Sequence, residues 1–204
     1  MKSLGVFIFP GIQTLDLFGP IELLGGFRNE IELTMVAESL EPVTTRHGQR
    51  IIPDKTIADA AEYDILLIPG GDSALEVSQR PDAMAWLRRA SDAADYVLTV
   101  CTGSVLLGMT GCLDGKRATT NKLDFTSTVH LAPRVDWVKK ARWVEDDKFF
   151  TSSGVSAGMD MALAVAERLF GSEAAEDMAE GSEYEWHRDA AWDPFAQRAG
   201  LVSS

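Results

Sequence analysis

Tyr96-Val97-Leu98-Thr99-Val100-Cys101-Thr102-Gly103-Ser104 is the stretch from which the fold can be read. The run Tyr96 to Val100 is apolar and rich in β-branched residues, the signature of a strand buried on both faces of a parallel sheet. It leads directly into Cys101. Val105 to Met109 then reads as helix, so Cys101 stands at a tight strand-to-helix turn. A side chain there is raised above the sheet on a strained backbone, the geometry of a nucleophile elbow. The free amides and positive dipole end of the following helix predict a lowered thiol pKa and a reactive thiolate. A buried cysteine is otherwise usually inert packing. Cys112, in Thr110-Gly111-Cys112-Leu113, has no such setting and reads as packing.

Outward from the elbow, two more strand-like runs carry the same pattern. Leu4 to Phe9 is continuously apolar and ends at Pro10-Gly11, and Asp64 to Ile68 ends at Pro69-Gly70-Gly71. Ile31 to Val36 reads as a further strand and Val43 to Ile52 as a hairpin turning at His47-Gly48. Short strands are expected near Ala118, at Arg142 to Val144 and at Phe149 to Thr151. Helical spacing marks Thr14 to about Phe27, Ala83 to Ala94 and Met159 to Phe170; Pro20 predicts a bend or interruption in the first of these. The aromatic, acidic tail after Gly181 (Tyr184, Trp186, Trp192, Phe195) is expected to pack on the body or on a partner. Alternating strands and helices predict a mostly parallel sheet covered on both faces, as one α/β domain over residues 1–204. Ligands of such folds bind beyond the carboxyl ends of the strands, where the loops at Pro10, Pro69 and Cys101 meet.

The chain has 204 residues, 46% apolar and 25% charged, with a net charge of −12. That charge argues against nucleic-acid partners and anionic membrane surfaces, which require positive clusters. No apolar run is long enough to span a bilayer, and no secretory leader is recognisable, so a cytoplasmic location is expected. Two cysteines make no disulfide scaffold, and three scattered histidines (His47, His130, His187) make no zinc site.

Two further motifs bear on chemistry. Pro69-Gly70-Gly71 closes a buried strand, and its glycines can bring a backbone N–H against a developing negative charge. With the Thr102 amide as second donor, the loop is a candidate oxyanion hole. Asp16 lies in the apolar stretch Leu15-Asp16-Leu17-Phe18-Gly19-Pro20. It is either a helix cap or a buried acid/base whose pKa burial has raised. Glu22 falls on another side of the same helix.

Gly11 through Pro20, Pro69-Gly70-Gly71, Val100 through Ser104, Gly115 through Thr120, and Ser153 through Asp160 together resemble the DJ-1/PfpI superfamily, from about Lys2 to about Gly171. Within it, the Leu-Asp-Leu-x-Gly-Pro stretch and the Cys-Thr-Gly-Ser elbow are most similar to the isocyanide hydratases. The resemblance implies a flavodoxin-like sandwich, a homodimer and no cofactor. It also implies Cys101 as nucleophile, Asp16 as the carboxylate hydrogen-bonded to it, and Gly71 and Thr102 as amide donors. Protease-like members carry histidine directly after the cysteine. Here Thr102 stands there, and Asn121 occupies a position where related sequences can carry histidine. No Cys-His dyad is visible, which argues against peptidase activity. Sensor domains of transcription regulators share the elbow, but the length and charge of this chain argue against an attached DNA-binding domain.

The expected reaction is hydration of a small isocyanide to an N-substituted formamide in a mostly apolar pocket, with neither metal nor histidine. The alternatives are a glyoxalase- or deglycase-like activity on reactive carbonyls, and a non-enzymatic redox sensor in which Cys101 is oxidised.

Overall fold

The computed structural model describes residues 1–59 and 62–203. In chain order, strand β1 is Lys2–Phe7, helix α1 Thr14–Gly25, β2 Ile31–Ala37, β3 Val43–Thr44, β4 Arg50–Ile51, β5 Lys55–Thr56 and β6 Ile65–Ile68. Helices α2 (Ala74–Val77) and α3 (Pro81–Ala93), strand β7 (Tyr96–Val100), helix α4 (Gly103–Met109), β8 (Arg117–Ala118) and α5 (Phe125–Thr128) follow. The chain continues through β9 (Asp136–Trp137), β10 (Trp143–Asp146), β11 (Phe149–Ser152), α6 (Ala157–Phe170), α7 (Ser172–Gly181) and α8 (Pro194–Arg198).

Seven strands form the central sheet in the order β10-β11-β7-β6-β1-β2-β5, a flavodoxin-like α/β arrangement. All neighbours are parallel except the β10–β11 pair, which exchanges Trp143 with Ser152 and Asp146 with Phe149. Every residue of β6 is fully buried, as are Val97, Leu98 and Val100 of β7. Side chains alternate between sheet faces, so burial at successive positions requires cover on both. From β1 the chain runs outward to β2 and β5, then crosses back to β6 on the other side of β1. This reversal opens a crevice above the carboxyl ends of β1 and β6, the usual ligand position in an open α/β sheet. The loops leaving β1, β6 and β7 all enter it.

The hairpin at 43–52 forms, with Val43 opposite Ile51 and Gly48 in the left-handed region at φ 88°. The expected interruption at Pro20 does not occur, and α1 runs through it. A Cβ on Gly158 of α6 would lie 3.2 Å from the Pro20 ring, so the glycine makes room for it, and tertiary packing offsets the missing backbone donor. Helices α7 and α8, absent from the sequence reading, extend the fold beyond α6. No helix among the described residues is long and apolar enough to cross a membrane.

Candidate active site

Cys101 directly follows β7 with φ at 55°, a left-handed conformation that is strained for a residue with a side chain. Its neighbours hold it there. The Cys101 amide donates to the Ser153 carbonyl at 3.1 Å, and its own carbonyl accepts from Ser104 Oγ at 2.9 Å and Thr120 Oγ1 at 2.8 Å. The elbow also depends on bare backbone opposite. A Cβ on Gly70 would stand 2.7 Å from both the amide nitrogen and Oγ1 of Thr102, and one on Gly103 would stand 2.2 Å from the Ile68 carbonyl oxygen. Glycine at both positions lets the β6 and β7 loops close on each other.

Asp16 comes from the first turn of α1 and is completely buried. Its Oδ2 accepts the Gly70 amide at 3.1 Å. The helix-cap reading gives way here, because Gln13 occupies the cap position and no side chain caps the helix. Burial raises the Asp16 carboxyl from 3.8 to about 7, opposed by hydrogen bonds from Gly70 and from the Cys101 thiol. The thiol lies close enough to favour the carboxylate but forms no well-aligned bond to Oδ1, so burial decides the direction.

The thiol itself departs from expectation. Burial, and after it the negative charge of Asp16, push Cys101 up to about 12. Hydrogen bonds to sulfur from the Asn121 side chain and the Thr102 amide oppose the rise, and the Asp124 charge adds to it. The seven-residue α4 does not outweigh these effects, so the resting group is a thiol beside a carboxylate, not a free thiolate. The two acids influence each other, and the carboxyl gives up its proton well before the thiol does.

Gly70, Gly71 and Thr102 meet at the site, but their amides are engaged. Gly70 N–H serves Asp16, Gly71 N–H donates to Thr102 Oγ1 at 3.1 Å, and Thr102 N–H is directed at the Cys101 sulfur. The Thr102 hydroxyl in turn donates to the Gly71 carbonyl at 3.3 Å. The oxyanion geometry expected from the glycine loop is therefore occupied internally. Asn121, which the sequence reading noted only as a departure from histidine, donates from Nδ2 to Cys101 Sγ at 3.1 Å. Its Oδ1 accepts the amides of Leu123 and Asp124, which fixes the direction of the NH2 group.

A cavity of about 320 Å³ opens over Cys101, and Thr102, Asn121, Val155, Leu75, Arg46 and Asp124 are among the residues that line it. It is of mixed polarity, against the expectation of a mostly apolar pocket. Arg46 and Asp72 pair at 3.1 Å. No histidine lines it.

The model of the DJ-1/PfpI family matches residues 2–168. The chain belongs to the DJ-1/PfpI family. Among its relatives in this family is the isonitrile hydratase of Pseudomonas putida, 35% identical over 176 residues that cover 85% of this chain and 75% of that protein. Protein dj-1beta of Drosophila melanogaster is 24% identical, over 88% of this chain and 96% of its own. A solved structure of a ThiJ/PfpI family protein from Pseudomonas syringae superposes with a TM-score of 0.84 at 29% identity, covering 91% of this chain and 76% of that one.

Proposed function

We propose that this DJ-1/PfpI protein hydrates isonitriles to N-substituted formamides, with Cys101 as nucleophile and Asp16 as proton carrier. The observation that carries the reading is the buried Asp16 carboxyl set beside the buried Cys101 thiol, with burial raising both groups so that each can hold a proton near neutral pH. An isonitrile carbon accepts both a nucleophile and a proton, so the pair supplies what the first step needs. The S–H proton passes to Asp16, sulfur bonds to the terminal carbon, and Asp16 delivers the proton to that same carbon. The product is a thioimidate, Cys101–S–CH=N–R, and nothing is lost. Water then adds to the C=N carbon, with Asp16 taking one water proton and the nitrogen gaining one. The C–S bond breaks, the carbonyl forms, and Cys101 recovers its proton as the formamide leaves. No redox partner is required.

Asn121 and Thr102 N–H are suited to stabilise sulfur while it carries charge, and Gly70 N–H keeps Asp16 facing it. Gly71 and the Thr102 hydroxyl brace the loop. Similarity to the Pseudomonas putida isonitrile hydratase supports the same assignment. Reactive-carbonyl chemistry is less well served, since no histidine lines the cavity to relay protons from a substrate carbon. The test is loss of the infrared isonitrile band with matching formamide, for wild type and Cys101→Ser.

We further propose a homodimer. Leu15 and Phe18 lie one turn apart on α1, 39% and 40% exposed, and form an apolar pair that a second copy would cover. Of the tail aromatics, Tyr184 and Trp186 pack on the chain's own core, while Trp192 and Phe195 stay exposed.

A further inference from the structure

The tail beyond α7 is held to the body by hydrogen bonds to one buried ion pair, Arg142–Asp160, and by its own Asp193 in a second, which lies one residue from groups that touch Cys101. Arg142 pairs with Asp160 at 2.6 Å, both buried. Asp160 Oδ1 accepts Tyr184 Oη at 2.9 Å and the His187 amide at 3.0 Å, while its carbonyl accepts Trp186 Nε1 at 3.2 Å. The Arg142 amide donates to the Ala190 carbonyl at 2.7 Å. These contacts fasten residues 184–190 to α6 and to Arg142, and Asp193 follows at a site where it is 2% exposed.

There Asp193 Oδ2 meets Lys122 Nζ at 3.3 Å and the Ser153 hydroxyl at 3.3 Å. Both partners adjoin groups that touch Cys101. Ser153 accepts the Cys101 amide through its carbonyl. Lys122 follows Asn121, and its ammonium also donates to Thr119 Oγ1 at 2.6 Å and the Thr120 carbonyl at 3.1 Å. The turn carrying Asn121 is thus anchored by a buried charge, and the countercharge comes from the tail. A buried ammonium without that countercharge would seek water and carry its turn with it.

We propose that Asp193 is a positioning residue of the active site, acting through Lys122 and Ser153 to hold the Asn121 amide on the Cys101 sulfur. The segment that supplies it lies beyond residues 2–168, which the family model matches. The inference rests on Cys101 being the nucleophile of the proposed hydration, but it can be tested without any isonitrile.

The experiment measures iodoacetamide alkylation of Cys101 by peptide mapping from pH 7 to 10 in the full chain. The charges facing the thiol, Asp16 and Asp124, stay in place. Asn121→Ala removes the hydrogen bond directly and should slow alkylation by on the order of fivefold, with the profile moved to higher pH. Asp193→Asn keeps the cap on the Phe195 amide while removing the charge and the acceptor that face Lys122 and Ser153; it should move the profile in the same direction. Asn121→Ala combined with Asp193→Asn should be no slower than Asn121→Ala alone, because both act through one contact. A folded Asp193→Asn with the wild-type profile, or a combined loss equal to the product of the two, would overturn the proposal. If Asp193→Asn does not fold, Lys122→Met with Asp193→Leu replaces the pair by apolar groups. Slowed alkylation in that variant supports positioning, and a wild-type profile refutes it.

Discussion

Replacing Asp16 by asparagine separates the two costs that this carboxyl imposes. The group is completely buried and ionises near pH 7 in the folded chain, against 3.8 as the ordinary value. Because folding raises its pKa, its stabilising effect is complete below about pH 4 and is lost as the pH rises through 7. The difference of about three units corresponds to about 4 kcal/mol by pH 8.5, as an upper bound. Asparagine keeps an oxygen for the Gly70 amide and has no charge to desolvate. Asp16→Asn should therefore melt above wild type at pH 8.5, with the gap closing towards pH 5. Even a quarter of the bound, about 1 kcal/mol, moves Tm by roughly 2–4 °C in a chain of this size. Turnover should fall by about a hundredfold or more at both pH values, since the amide cannot carry the proton. Calorimetry at pH 5 and 8.5 beside the isonitrile assay measures both effects. A variant that melts below wild type at pH 8.5 refutes the buried-charge argument, and one that keeps near-normal turnover refutes the proton-carrying role.

Three other outcomes follow from the same geometry. The value of kcat/KM should rise as the pH passes through about 7, where the carboxyl loses its proton; a pH-independent rate from 5 to 9 contradicts this account of the pair. Gly70→Ala should cost about 1–3 kcal/mol and at least tenfold in rate, because its Cβ would lie 2.7 Å from the Thr102 backbone nitrogen; an unchanged melt and rate would show that the loops are not in close contact. Sedimentation should give a dimer that Phe18→Glu dissociates to a 22.2 kDa species, and a wild-type monomer would remove the proposed α1 interface.

The parallel-sheet core was legible because its strands are buried on both faces and read as unbroken apolar runs. Tyr96 to Val100 and Ile65 to Ile68 are cases in point, and the hairpin showed itself through His47-Gly48. The strand-to-helix turn at Cys101 was legible for the same local reason: the apolar run stops at a small polar turn before a helix. The charge state of that thiol was not legible. It depends first on burial, then on Asp16 from α1 and Asn121 from the loop after β8, brought together only by the crevice. Pro20 misled because the space left by Gly158 lies on another helix. The role of Asp193 was hidden for a similar reason. A single aspartate in an acidic tail carries no sign that it will meet Lys122 in the interior.

The most direct measurement gives the protein a simple alkyl isonitrile, follows formamide by NMR, and maps the acid-quenched protein by mass spectrometry. Wild type should turn over and carry, on Cys101 alone, an adduct equal to the full mass of the isonitrile, while Cys101→Ser should form no formamide. Formamide production by Cys101→Ser at the wild-type rate, or none by wild type, would contradict the assignment of Cys101 as the nucleophile of an isonitrile hydratase.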